Sequence, residues 1–310
     1  MARNPIKLEG VFWEDYLSAQ RTTLPRLNDV EQVTERVVRI MGGNPGSMQL
    51  QGTNTYLLGT GRDRILIDTG EGMVAWAENI IKFITENHIN IAYVLLTHWH
   101  GDHTGGVPDL IAHDPAIAER VYKNSPDPGQ QPITDLQEFM VDGATVRAVH
   151  TPGHAVDHMC FMFEEENALF TGDNVLGHGF SVEEDLGGYL RSLYRMRDLG
   201  CAIGYPAHGI VIPHLPSKMD QYVRHKEDRE RQILDVLRSW GVQKGPGRQS
   251  VPIETLIELL HGHLPAGMVK AALEPFVTQV LWKLAEDRKV GFELKRGRRQ
   301  WFLNERLVVA

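Results

Sequence analysis

Hydrophobic and polar residues follow two different periods along the chain, and the alternation predicts a layered fold. The segments TNTYLLGT and RILIDTG predict two strands of a hairpin, and the apolar run IAYVLLT predicts a strand covered on both faces. Four apolar residues share one face at helical spacing, namely Ala77, Ile80, Ile81 and Ile84. Strands interrupted by single helices are typical of a layered α/β fold.

Further elements follow from the same patterns. Strands are expected over residues 33–40 and in TVRAVH, HMCFMF and ALFTGD, and helices over residues 12–17, 107–113, 182–199 and 219–237. The alternation of short strands and helices continues through most of the chain. One main α/β domain therefore accounts for the greater part of the sequence.

The composition changes near residue 241. The stretch GVQKGPGRQS predicts a linker, and two apolar-periodic helices and a hairpin around KRGRR follow it. We therefore predict a lead-in that packs on the core (1–32), a main domain (33–240) and a winged-helix-like C-terminal domain (241–310). The last part holds eleven basic and seven acidic residues, whereas the chain as a whole has a net charge of -8.

Composition narrows the functional classes. The 310 residues are 42% hydrophobic and 23% charged, which is typical of a globular protein. Apolar runs fall short of the roughly 20 residues that span a bilayer, so no membrane partner is expected. The negative charge argues against nucleic acid as the main partner. Two cysteines are too few for a disulfide framework, and the first residues lack the apolar core of a signal peptide, so we expect a cytoplasmic protein.

The chemistry of the chain is concentrated in the run THWHGDH. It places His98, His100, Asp102 and His103 directly after a predicted buried strand. Open α/β sheets bind their ligands at the ends of such strands. Imidazole nitrogens with a carboxylate suit zinc and similar metals.

Three further candidates stand beside glycines at predicted strand ends. They are His154 in TPGHAVDH, Asp173 in LFTGDN and His208 in YPAHG. Seven ligands suit two metals roughly 3.5–4 Å apart with a shared carboxylate. We expect one site of His98, His100 and His154, a second of Asp102, His103 and His208, and Asp173 as the bridge.

These motifs, in this order, resemble the metal signature of the metallo-β-lactamase superfamily. The resemblance covers about residues 33–240 and implies a four-layer αββα sandwich for the main domain. It also implies two Zn²⁺ ions per chain and Asp102 as the proton donor and acceptor. Asp68, in LIDTG, matches the first motif of the superfamily and is expected to orient a ligand rather than to bind metal.

A narrower resemblance comes from GGNPGSMQLQGTNTYLLGTGRDRILIDTGEG and VLLTHWHGDHTGGVPDL. Both are similar to fungal atrochrysone carboxyl-ACP thioesterases, which act with non-reducing polyketide synthases. The resemblance implies hydrolysis of a polyketide thioester on an acyl carrier protein, with release of atrochrysone carboxylic acid or a related aromatic polyketide. A thioester suits such a site because its thiol leaving group, with a pKa of about 8.5, departs without much help from an acid.

Other functions remain open at this point. The core and tail also resemble the lactamase-beta-like endoribonuclease of animals, which implies cleavage of single-stranded RNA. A glyoxalase-II-like hydrolase of glutathione thioesters and a metal-bearing adaptor are further alternatives, and a homodimer is left open. We expect Trp99 to pack beneath its loop, and an apolar wall for the substrate to come from the lead-in and from Trp282, Phe292 and Trp301.

Overall fold

The structure is a computed structural model that describes residues 24–244 and 249–304. Its described strands form three sheets. In spatial order, the first sheet contains β1 (Val30–Gln32), β2 (Val37–Met41), β3 (Asn54–Leu58), β4 (Asp63–Ile67), β5 (Asn90–Leu95), β6 (Val121–Lys123) and β7 (Gln131–Pro132). The second contains β8 (Glu138–Val141), β9 (Ala144–His150), β10 (Met159–Phe163), β11 (Ala168–Gly172) and β12 (Ile203–Pro206). The third contains β13 (Val251–Pro252), β14 (Val290–Lys295) and β15 (Arg298–Leu303), with β15 in the centre.

The helices lie between these strands and after them. They are α1 (Val74–Glu86), α2 (Gly101–Thr104), α3 (Val107–His113), α4 (Leu186–Asp198), α5 (Leu215–Lys244), α6 (Ile253–His261), α7 (Ala266–Met268) and α8 (Glu274–Glu286). Short 3₁₀ segments occupy Pro115–Arg120 and Glu164–Glu166, and a π-helical turn occupies Val269–Leu273. No described helix combines the length and the apolar character needed to cross a membrane.

Alternate residues along the strands of the first sheet pack in two different hydrophobic cores. Tyr56 and Ile65 belong to the core shared with the second sheet, where Phe161 and Phe170 also lie. Leu57 and Leu66 instead pack with helical side chains on the opposite face of the first sheet. Those helical side chains are Trp76, Ile80, Ile84 and Leu110. Because successive strand residues point to opposite faces, both faces of this sheet are buried.

A helix also covers the second sheet. On α4, the Ser192 hydroxyl donates to the carbonyl of Pro152 at 2.6 Å, and Arg195 donates to the carbonyl of His150 at 2.9 Å. Tyr189, Leu193 and neighbouring side chains of α4 are buried. Helix, sheet, sheet and helix therefore follow one another, which confirms the α/β class and the αββα sandwich.

Three sequence expectations differ from the structure at their edges. Residues 33–36 form a turn rather than the start of a strand, because the Thr34 hydroxyl accepts the amides of Arg36 and Val37. The helix expected from residue 182 begins only at Leu186, where the Asp185 carboxylate caps it by accepting the amide of Gly187 at 2.9 Å. Helix α5 continues to Lys244, so the first residues of the expected linker are helical.

The described residues divide into two compact units, 24–220 and 221–304, and the division falls within α5. In the second unit, β14 and β15 form the expected hairpin, with Lys295 opposite Arg298. Trp282, Phe292 and Trp301 pack on one another there, with ring centroids 5.4 Å apart. The domain bounds 33–240 and 241–310 and the winged-helix description stay predictions. The helix expected over residues 12–17 lies outside the described residues.

Candidate metal centre

The seven predicted ligands lie at one edge of the two sheets, five of them in loops and two, Asp102 and His103, in the short helix α2. His98 and His100 follow β5, and Asp173 and His208 follow the parallel strands β11 and β12. His154 follows β9, which runs parallel to β11 because both strands pair antiparallel with β10. The sheet topology thus brings residues that are up to 110 positions apart in the sequence to one place.

Four of these side chains form the first group. One ligand atom from each of His98, His100, His154 and Asp173 lies within 4.8 Å of the others. His100 Nδ1 is 2.8 Å from His98 Nε2 and 3.1 Å from His154 Nε2. His154 Nε2 is 3.4 Å from the Asp173 carboxylate. Three imidazoles and one carboxylate oxygen therefore converge on a common point.

Asp102, His103 and His208 form the second group, again with ligand atoms within 4.8 Å of one another. His208 Nε2 is 3.3 Å from Asp102 Oδ2 and 3.2 Å from Asp173 Oδ1. Asp173 Oδ2 lies 3.5 Å from His103 Nε2. The Asp173 carboxylate thus reaches both groups, the position that a bridging ligand would need.

Asp68 lies next to this centre and contacts His103 and Thr97. Its carboxylate is 2.7 Å from His103 Nδ1 and accepts the amide of Thr97 at 2.8 Å. The Thr97 hydroxyl donates to the same carboxylate at 2.9 Å and lies 2.9 Å from His98 Nδ1. Asp68 has a φ of 58°, a left-handed conformation that is uncommon outside glycine and often found at functional sites. The sequence analysis assigned no role to Thr97. Its position directly before the candidate ligand His98 could have indicated that it contacts the site.

His158 holds the loop that carries Asp173. Its Nε2 accepts the amide of Asp173 at 3.1 Å, and its side chain is fully buried. Gly172 has a φ of 50°, and a Cβ at this position would lie 2.4 Å from His158 Nε2. Only glycine therefore allows the histidine to approach the backbone this closely. His158 is a support for Asp173 rather than a member of either ligand group.

The orientation of His154 depends on the loop after Asp173. His154 Nδ1 lies 2.6 Å from the carbonyl oxygen of Val182, and this contact directs Nε2 towards the first group. The preceding Gly153 has a φ of 136°, and a Cβ there would lie 2.3 Å from the Tyr189 backbone. Position 153, directly before this histidine, therefore requires glycine.

Neighbouring imidazoles keep the Asp173 and Asp102 carboxylates charged, whereas burial keeps His98 neutral. Burial opposes a charge on Asp173, but the imidazoles of His208 and His103 outweigh it and hold its pKa well below the ordinary value. The same balance lowers the pKa of Asp102 to about 2, although burial opposes it. Burial, reinforced by His103, lowers the pKa of His98 well below its ordinary value, so His98 is neutral at neutral pH.

The second group differs in its protonation. Burial would lower the pKa of His103, but the carboxylates of Asp173 and Asp68 raise it well above the ordinary value. Asp173 and Asp102 likewise raise the pKa of His208 to about 9 against the effect of burial. Without a metal these imidazoles hold protons, and cations would take the place of those protons.

The residues fit divalent cations. His103 Nε2 and Asp173 Oδ1 are buried and make no hydrogen bond within residues 24–244 and 249–304. Buried polar atoms are normally paired, and a divalent cation held between the two groups would be a partner for both of these atoms. The donor set of imidazoles and carboxylates suits zinc.

Trp99 contradicts the expectation that it packs beneath its loop. Its side chain is 50% exposed, and its ring contacts that of His100 with centroids 4.4 Å apart. The backbone amide of Trp99 donates to Asp157 at 3.4 Å, which fixes the loop but leaves the indole at the surface. Apolar residues are often, but not always, buried, and this one is not.

The fold and the centre together define a class of metal-dependent hydrolases, and the sequence comparisons give its family. The model of the "Metallo-beta-lactamase superfamily" matches residues 49–208, just over half of the chain. The chain belongs to the metallo-β-lactamase superfamily, as its resemblance to that family predicted.

Among the relatives, "Lactamase-like protein adaB" of Aspergillus niger is 61% identical over 296 residues, covering 94% of this chain and 93% of the relative. "Atrochrysone carboxyl ACP thioesterase" of Aspergillus chevalieri is 56% identical over 295 residues, covering 95% and 96%. Among solved structures, a beta-lactamase domain protein from Burkholderia ambifaria has a TM-score of 0.70 at 18% identity, covering 91% of this chain and 95% of that one. This last likeness shows the fold alone.

Proposed function

We propose that the chain is a metal-dependent thioesterase that cleaves the thioester between a polyketide and the acyl carrier protein of a non-reducing polyketide synthase. The product is atrochrysone carboxylic acid or a related aromatic polyketide. The observation that carries this proposal is the 56% identity to the atrochrysone carboxyl ACP thioesterase over 95% of this chain and 96% of that relative. A cytoplasmic location remains part of the prediction.

The centre supports hydrolysis. We propose that His98, His100 and His154 hold one Zn²⁺ ion, that Asp102, His103 and His208 hold a second, and that Asp173 bridges them. Ions bound there would lower the pKa of a water molecule towards about 7 and polarise the thioester carbonyl. Zinc is favoured because imidazole nitrogen and carboxylate oxygen are its common ligands.

Asp102 is the residue that we propose to move the proton. Its Oδ2 atom lies between His103 Nε2 at 3.6 Å and His208 Nε2 at 3.3 Å. The lowered pKa of Asp102, about 2, keeps it a carboxylate that can accept a hydrogen bond from a water molecule and orient it. Metal ions that make this water more acidic would allow the carboxylate to take up its proton during the reaction. A thiol leaving group requires little protonation, so a second acid is not needed.

The test uses the purified full-length chain and an aromatic polyketide thioester on a carrier protein. Metal content is measured by elemental analysis, and release of the free acid by mass spectrometry. We expect two zinc ions per chain, and His154→Ala should lose metal and activity because the first group loses one of its few ligands. The matched control is His113→Ala, since His113 is an exposed histidine of the same unit.

Full activity at a metal content near zero would contradict the proposed mechanism. Single-stranded RNA and a glutathione thioester serve as competing substrates. Turnover of either one in preference to the carrier-bound thioester would replace the proposed function by the corresponding alternative.

A further inference from the structure

Large apolar side chains stand exposed on the loops of the metal centre, and four of them lie within two residues of a candidate ligand or in a residue whose backbone contacts one. Trp99 is 50% exposed, Val156 72%, Val182 44% and Ile210 40%. Trp99 lies between two candidate ligands, Val156 is two residues after His154, and Ile210 is two residues after His208. Two residues of chain span at most about 7 Å, so these side chains begin close to the ligands. We call Trp99, Val156, Val182 and Ile210 the apolar rim.

The fourth member of the apolar rim, Val182, is tied to the centre by a hydrogen-bond contact. Its carbonyl oxygen is 2.6 Å from His154 Nδ1, so the backbone that positions the histidine also places the valine. All four residues belong to the unit of residues 24–220. The loops that bring the ligands together therefore also carry exposed apolar side chains.

Exposed apolar side chains beside a cluster of candidate ligands are candidates for a binding surface. Ligand pockets are largely apolar with a few polar groups that fix orientation, and the centre supplies those polar groups here. The indole of Trp99 is held edge-on against His100, with an angle of 68° between the rings, and so offers a fixed flat surface. Such a surface favours a planar aromatic partner, which gains from ring contacts beyond its buried area.

We infer that the apolar rim is the binding site for the acyl group of the substrate and that Trp99 selects planar aromatic acyl chains over short aliphatic ones. This inference rests on the proposed thioesterase function. It locates the apolar wall on the ligand loops themselves, whereas the sequence suggested the lead-in and the tail. The four members of the rim are uncharged, so their own contribution to recognition of the acyl group is shape and apolar contact.

The test compares two thioesters of N-acetylcysteamine, one of 2-naphthoic acid and one of acetic acid, with the metal-loaded full-length protein. For Trp99→Ala we expect KM for the naphthoyl thioester to rise about tenfold, the loss of one aromatic contact and its apolar area. The fall in kcat/KM should be at least about fivefold larger for the naphthoyl than for the acetyl thioester. Trp99→Phe should keep most of the preference, and Met140→Ala, an exposed residue on β8, is the matched control.

A second measurement does not depend on turnover. Calorimetry with a non-hydrolysable naphthyl thioether should show weaker binding to Trp99→Ala than to the native chain, at unchanged metal content. The inference would be overturned if Trp99→Ala lowered kcat/KM equally for both thioesters, or if the variant and the native chain bound the thioether equally well. If the native chain cleaves neither thioester, the carrier-bound substrate decides the proposed function separately, and the thioether titration still decides whether the rim binds aromatic groups. Tighter binding of single-stranded RNA than of the thioether, lost in Trp99→Ala, would assign the rim to nucleobases instead.

Discussion

The substitution Asp68→Asn tests whether the Asp68 carboxylate, which contacts His103, sets the zinc affinity of the second group of ligands. The native carboxylate is 1% exposed and contacts both Thr97 and His103. Asparagine keeps the shape but replaces one oxygen by an amide nitrogen, which only donates hydrogen bonds. The Thr97 amide and hydroxyl both require an acceptor, so the new nitrogen faces His103 Nδ1 at the present 2.7 Å contact.

The magnitude follows from the loss of that contact. The Asp68 carboxylate accepts a hydrogen bond from the Nδ1–H group of His103, so Nε2 is the nitrogen left to bind metal once its own proton is displaced. An amide donor at the same place favours the other tautomer, in which Nε2 keeps its proton. Losing one charge-assisted hydrogen bond costs about 1.5–3 kcal/mol. Since 1.4 kcal/mol corresponds to a factor of ten, zinc affinity of the second group should fall roughly 10- to 100-fold.

The assay is a competitive titration of metal-free protein with Zn²⁺ against a chromophoric chelator at neutral pH. We expect one site of native affinity and one weakened site. Asp198→Asn is the control, because Asp198 is 77% exposed at the end of α4. Thermal unfolding without metal separates a loss of stability from a loss of affinity. Two sites of native affinity in Asp68→Asn would refute the reasoning about the imidazole.

Three further predictions concern other parts of the molecule. Asp102→Asn should lose most thioesterase activity yet keep at least one metal, since an amide cannot accept the proton; near-normal turnover would contradict that role. Cys160 and Cys201 should not react with a thiol reagent at mildly alkaline pH until the protein is unfolded, because burial raises their pKa to about 12 and about 11; rapid reaction of the native chain would show otherwise. Replacing the exposed Arg296 and Arg298 by Glu should raise KM for a carrier-bound thioester about three- to tenfold at low salt and leave KM for a free thioester unchanged. If the variant and the native chain had equal KM values for the carrier-bound thioester, an acidic carrier protein would not dock at the β14–β15 hairpin.

The strands and helices of the main domain followed from local patterns. Apolar alternation in β3 and β4 and the helical spacing in α1 correspond to real faces, because each face must be buried against a neighbour. Some boundaries of these strands and helices differ from the prediction because single side chains decide them locally. The Thr34 hydroxyl ends the expected strand, and the Asp185 carboxylate delays the helix, by competing for backbone amides.

The sequence by itself determined which side chains form the candidate metal centre and that they stand near strand ends. Clustered histidines and aspartates are the residues that bind zinc, and parallel strands end at the same edge of a sheet. The tertiary structure alone decided the contacts between distant segments. Asp68 against His103, His158 under Asp173 and the Val182 carbonyl on His154 all join residues at least 15 positions apart. Such contacts depend on how whole loops close over the sheets, which no local period encodes. The exposure of Trp99 was also decided by the tertiary structure. Hydrophobicity predicts burial only on average, and apolar residues at binding surfaces are common exceptions.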